Sequence, residues 1–100
     1  MNRSVLIGPR AAEDLAAIAE WIEAAAGPDI ANAYLNRLQA ACAELSNFPS
    51  RGTPRDDLAS GVRTIPFARR ATIAYRVTAD TITILRILHR GRDLGAAFQS

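Results

Sequence analysis

Residues 10–48, RAAEDLAAIAEWIEAAAGPDIANAYLNRLQAACAELSNF, carry two runs of helical period divided by one Gly-Pro break. In the first run Leu15, Ile18, Trp21 or Ile22 and Ala25 recur every three or four residues, which lines apolar side chains along one helical face. In the second, Ile30, Tyr34, Leu38, Ala41, Cys42, Leu45 and Phe48 do the same. Gly27-Pro28 ends the first helix, and Asp29 stands where the next begins. So short a break folds the second helix back on the first as a helical hairpin. Trp21 and Ile22 are neighbours, so they cannot both face a core squarely. One of them belongs at the margin of the stripe.

Outward from the hairpin the pattern changes. Arg3 to Ile7 reads as a short strand that Gly8-Pro9 ends, because proline donates no backbone hydrogen bond. Residues 47–61, NFPSRGTPRDDLASG, read as a surface loop, long for a small domain and therefore functional or mobile. Three strands follow. Val62–Phe67 contains Pro66, a sign of an edge or an interruption. Ala71–Thr78 alternates, and Thr81–His89 is the most apolar and so the most buried. Ala79-Asp80 supplies the tight turn between the last two. The tail from Asp93 is expected to form one short helical turn or to fray. The expectation is an α+β fold, β-α-α-β-β-β, with an antiparallel sheet and the helical hairpin packed on one face. The opening strand should pair with the three-strand meander, since its backbone groups need partners. One hundred residues suit a single domain spanning 1–100.

Charge is unevenly placed. Every one of the 12 basic residues is arginine, which binds carboxylates and phosphates with a rigid fork but does not shuttle protons. Residues 11–48 hold six acids against Arg37, whereas residues 49–100 hold nine arginines against four acids. The second half is thus the part that should meet an anionic partner. A genome that prefers arginine codons explains the missing lysine equally well. Cys42 is a lone cysteine on the apolar stripe, which excludes a disulfide and a cysteine metal site and marks it as a small core residue. No signal peptide or membrane span is visible, so a cytoplasmic location without membrane contact is expected. No metal or cofactor site is expected, because one histidine and one cysteine far apart give no ligand spacing.

The order of elements resembles the RelE/ParE toxin superfamily of type II toxin–antitoxin systems. Three stretches carry the likeness: PRAAEDLAAIAEWI at 9–22, FPSRGTPRDDLASGVR at 48–63, and ITILRILHRGRD at 82–93, with its Leu-His-x-x-Arg-Asp ending. The ParE branch fits best. That resemblance implies a toxin that inhibits DNA gyrase by protein–protein binding and is neutralised by a cognate ParD-like antitoxin. Direct nucleic-acid contact is then expected only through the antitoxin complex. The alternative is a RelE-like ribosome-dependent mRNA endonuclease.

Cleaving RNA through its own 2′-hydroxyl needs a base, an acid and cations around the phosphorane, and the proton carriers work best with pKa values near the working pH. With lysine absent, His89 is the one group whose ordinary pKa is near neutral. A nuclease would therefore use His89 with Arg63 and Arg86, and with Glu44 or Asp57 as a carboxylate partner. His89 also reads as a structural residue that bonds Asp93 and holds the tail. A binding toxin needs no catalytic residue. Its target-binding surface is expected at Arg63, Arg69, Arg70, Arg76, Arg86, His89, Arg90 and Arg92. By alternation Arg86 shares a face of its strand with Ile82, Ile84 and Leu88, so it requires an acidic partner or an open face. The hairpin has more apolar surface than a small sheet covers, so the antitoxin is expected along Leu15, Ile18, Trp21, Ile22, Tyr34 and Leu38. Trp21 reads equally well as half-buried core.

Overall fold

The structure, a computed structural model, describes residues 3–89 and 94–98. Along the chain run β1 (Ser4–Ile7), α1 (Pro9–Ala26), α2 (Pro28–Glu44), β2 (Thr53–Pro54), β3 (Val62–Phe67), β4 (Ala71–Val77), β5 (Thr81–His89) and α3 (Leu94–Ala97). The strands form one sheet in the order β1-β5-β4-β3-β2. Pro9 and Pro28 open the two long helices, where a missing N–H costs nothing. Gly27 joins them at φ +94, a backbone region that side chains with a Cβ avoid.

The sheet is mainly antiparallel with the hairpin on one face, as expected, and two details add to that picture. β1 pairs with β5 in parallel, Ser4 opposite Thr81 through Ile7 opposite Ile84, so the sheet is mixed and not wholly antiparallel. The two-helix crossover between β1 and the meander is long enough to permit this. The 47–61 loop also contributes β2, which covers only Arg63 and Thr64 of β3. Beyond them β3 is an edge. Arg55 donates its N–H to the Val62 carbonyl, and Val62 donates to Ala59. Even-numbered residues of β3 therefore point their backbone outward, and at the next open position stands Pro66, with no N–H to offer. The proline blunts that edge.

The core lies between the hairpin and one face of the sheet. Ala11, Ile18 and Ile22 come from α1, and Ala31, Leu38, Cys42 and Leu45 from α2 and the turn after it. Ile65, Ile73, Tyr75, Ile82, Ile84 and Ile87 rise from the strands to meet them. Ile30 and Phe48, at the two ends of the second apolar stripe, are exposed and outside this core. Trp21 is 42% exposed while its neighbour Ile22 is buried, which answers the question of which lies at the margin.

A bulge alters β5. Tyr75 sits opposite Ile84 and Ala74 opposite Arg86, so Leu85 is an extra residue without a partner on β4. Ile84 and Arg86 consequently face opposite sides of the sheet, and Arg86 does not share a face with Ile82 and Ile84 as plain alternation required.

The β3–β4 turn holds Ala68 at φ +53. Alanine there costs roughly 1–2 kcal/mol, part of which glycine returns through its freer unfolded chain. Ala68→Gly is expected to raise stability by ~0.5–1 kcal/mol in urea unfolding. A loss of stability would show that the turn is not strained.

Candidate functional site

Asp14 and Arg86 form the most committed polar contact. Their side chains are only 10% and 12% exposed. Arg86 Nε donates to Asp14 Oδ2 at 2.8 Å, and Nη2 donates to Oδ1 at 2.9 Å. Asp14 Oδ2 also accepts the Ile87 backbone N–H at 2.8 Å, where β5 has run past the end of β1 and lacks a strand on that side. Arg86 Nη1 donates to the Ala97 carbonyl and thereby ties α3 to the sheet. The hydrogen bonds it donates to Asp14 hold the Arg86 guanidinium above its ordinary pKa, against the opposing pull of burial. The acidic partner that Arg86 required is therefore Asp14, seventy-two residues away.

Arg63 is engaged through one nitrogen, while its Nε is buried without a hydrogen-bond partner among the described residues. Its Nη2 donates to the carbonyls of Ser50 and Gly52, both at 2.9 Å. The hydroxyl of Tyr75, which sits opposite Arg63 on β4, donates to the Pro49 carbonyl and accepts the Gly52 N–H. Two strand side chains thus pin three of the loop residues 49–52, namely Pro49, Ser50 and Gly52. Only glycine fits at position 52, since a Cβ there would lie 2.6 Å from the Thr64 carbonyl oxygen and 2.8 Å from the Tyr75 hydroxyl. Arg76 donates to the Ser60 carbonyl and ties down the far part of the same loop. Arg55 is paired with Asp57 at 2.9 Å.

His89 lies among aromatic rings. Its ring centroid is 5.4 Å from that of Trp21 and 5.9 Å from that of Tyr34, and Tyr34 is in turn 5.4 Å from Phe67. All three contacts are edge-on, a favourable arrangement for aromatic pairs. The Arg37 guanidinium stands 5.7 Å from the Tyr34 ring centroid. Burial raises the Tyr34 pKa, with the Arg37 charge acting the other way. Its hydroxyl is buried without a hydrogen-bond partner among the described residues.

The three residues expected of a nuclease do not converge. Arg86 points to the opposite face of the sheet from His89, because their β4 partners Ala74 and Ala71 are three residues apart. Arg63 shares the face of His89, but their partners Tyr75 and Ala71 are separated by ~13 Å of strand. Of the proposed carboxylates, Asp57 is held by Arg55. Glu44 lies ten residues, ~15 Å of helix, beyond the Tyr34 that His89 touches.

Of the expected target-binding arginines, Arg69 and Arg70 are exposed and make no hydrogen bond or ion pair among the described residues. Arg90 and Arg92 lie outside the described residues, as does Asp93, the proposed partner of His89. Ile18, Ile22 and Leu38, expected on the antitoxin face, are instead buried against the sheet; Leu15 and Tyr34 are half-buried beside them. The stripe was sound, but the sheet covers most of it. Sequence reasoning passed over Asp14, which looked like one more solvated helix acid, and it counted Phe48 in the second apolar stripe although the residue is exposed at that stripe's end.

Cys42 is buried, and burial pushes its thiol up to about 11. An unfolded thiol ionises near pH ~8.5, so the native chain holds this proton more tightly. Stability is therefore full below that pH and declines as pH rises toward about 11. Alkaline denaturation of Cys42→Ala should lack this decline, and native protein should resist iodoacetamide at pH ~8. Rapid alkylation without unfolding would contradict the burial.

Among the described residues no group of histidine, cysteine and carboxylates could hold a metal ion, and no helix is long and apolar enough to cross a membrane. A mixed sheet backed by a helical hairpin, with its strand arginines tied into the fold, is the architecture of a small toxin of the RelE/ParE class. Residues 5–94 match the family of ParE toxins of type II toxin–antitoxin systems, parDE, and the chain belongs to that family. Toxin ParE3 of Caulobacter vibrioides is 37% identical over 70 residues, 70% of this chain and 69% of that protein. Toxin ParE1 of Mycobacterium tuberculosis is 33% identical over 95 residues, 94% of this chain and 96% of that one. Among solved structures, a chain of the chromosomal ParDE system of P. aeruginosa superposes with a TM-score of 0.77 at 28% identity, covering 88% of this chain and 96% of its own. A chain of the RelBE2 toxin–antitoxin complex of M. tuberculosis gives 0.65 at 25% identity, covering 90% and 100%.

Proposed function

We propose that this toxin acts by adhesion: it inhibits DNA gyrase through protein–protein contact and is neutralised by a ParD-like antitoxin in the cytoplasm. The observation that carries this reading is the state of the would-be catalytic residues. Arg86 is spent on Asp14, Arg63 on two loop carbonyls, and His89 packs among aromatic rings on a different part of the fold. Phosphoryl transfer needs a proton carrier and cations aimed at one point, and His89, Arg63 and Arg86 do not meet at one among the described residues. The match to ParE toxins supports the same reading.

The likeness to a RelBE2 chain keeps one rival in view, the ribosome-dependent endonuclease. Purified toxin is expected to block ATP-driven supercoiling by gyrase and to leave translated messages uncut. No effect on gyrase would remove the proposal. Message cleavage that His89→Ala abolishes would put the rival in its place.

A further inference from the structure

The outer edge of β1 is left open by the fold. This strand ends the sheet, with β5 on its inner side. The Ser4 N–H donates to the Asp80 carbonyl and the Gly8 N–H to the Ile84 carbonyl, so the even-numbered residues turn their backbone toward β5. Arg3, Val5 and Ile7 turn theirs outward. Ser46 Oγ donates to the Arg3 carbonyl at 2.8 Å and closes that end of the edge. The N–H and carbonyl groups of Val5 and Ile7 have no hydrogen-bond partner among the described residues. At the other edge of the sheet β3 is protected by β2 and Pro66, whereas β1 carries no proline, bulge or charge from Ser4 to Gly8. Leu6 and Ile7, on opposite faces of the strand, are 52% and 41% exposed.

We propose that this edge pairs with the same edge of a second copy of the chain, antiparallel, about a two-fold axis at Leu6. The open groups select a strand as the occupant, and their pattern is its own complement under that axis. Val5 of each copy exchanges hydrogen bonds with Ile7 of the other, and Leu6 faces Leu6 as a non-hydrogen-bonded pair. A register centred on Val5 would need the Arg3 carbonyl, which Ser46 already holds. Charge allows the pairing as well. Ser4 falls opposite Gly8 and Arg3 opposite Pro9, so no like charges meet. Val5 packs against the core, so Ile7 of the second copy continues the apolar surface under the hairpin. One short strand edge covers less than the ~800 Å² per partner of a stable complex, so the pair is weak and depends on concentration. The inference stands apart from the gyrase and antitoxin readings.

Sedimentation equilibrium of the isolated toxin tests this. The wild type is expected to show a monomer–dimer equilibrium, and Leu6→Glu or Leu6→Lys alone to weaken it about tenfold or more, because like charges then meet at the axis. An equimolar mixture of the two variants should recover the dimer. Leu6→Cys should form a disulfide-linked dimer about tenfold faster than Ser4→Cys, since the Leu6 pair lies at a Cα separation of ~4.5 Å, within disulfide reach. Ile30→Glu, exposed at the start of α2, should associate as the wild type does. Leu6, Ser4 and Ile30 are all exposed, and circular dichroism confirms that each variant is folded. A wild type that is monomeric at every concentration overturns the inference. So does a dimer unchanged by both Leu6→Glu and Leu6→Lys, or a mixture that fails to recover. Unchanged self-association with weakened antitoxin binding in Leu6→Glu would assign the edge to an antitoxin strand and overturn it too.

Discussion

Asp14→Ala is expected to lower the melting temperature by roughly 15–30 °C, which corresponds to ~3–5 kcal/mol in a chain of this size. Three losses coincide. The Arg86 guanidinium stays in a largely buried position without its carboxylate. The Ile87 N–H, on the side of β5 that β1 no longer covers, loses its acceptor. The guanidinium that bonds the Ala97 carbonyl is no longer oriented, so α3 loosens from the sheet. Against a total stability on the order of 5–15 kcal/mol, that is a large share. Replacing both partners, as Asp14→Leu with Arg86→Met, should recover much of the loss, because a buried pair exchanged for packed apolar groups leaves no orphan charge. Thermal unfolding followed by circular dichroism decides it. A drop under ~1 kcal/mol for Asp14→Ala would mean that water replaces the carboxylate at little cost.

Leu38→Ala should cost ~2–5 kcal/mol, the range for deleting a fully buried aliphatic side chain and leaving a cavity. Leu38 is wholly inaccessible and belongs to the cluster that joins α2 to the sheet. Trp21→Ala, on the exposed margin of α1, should cost far less than its size suggests, because much of its surface already meets solvent. The contrast tests whether the helical stripe is core or recognition surface. Urea unfolding reads the stability of each variant, and antitoxin titration at a temperature where both are folded reads binding. A stable Leu38→Ala that fails to bind would return the stripe to the antitoxin.

The residues that announced the fold were those whose pattern follows directly from covalent geometry. Gly-Pro breaks bounded both helices, and alternation with a two-residue turn placed β5 at Thr81–His89, as observed. Strand direction was less legible, since nothing in Ser4–Ile7 distinguishes a parallel from an antiparallel neighbour. Parity failed at Leu85 because a bulge adds a residue without demanding a special side chain there. Burial of the residues expected on the partner surface was hidden for a related reason. Periodicity tells which face of a helix is apolar, and only the tertiary structure tells whether a sheet or another protein covers it. Arg86 was a better guide. A charge on a buried strand had to have a partner, and the need was visible even though Asp14, at the other end of the chain, could not be singled out.

Tyr75 joins two properties that many proteins keep apart. Its ring is wholly inside the core, while its hydroxyl grips the backbone that displays Phe48 and Arg51. The side chains this loop displays can therefore change freely, yet any drift in its backbone is penalised as misfolding. Variation in such a protein should collect in the displayed side chains, with the scaffold beneath them held still by selection for folding alone.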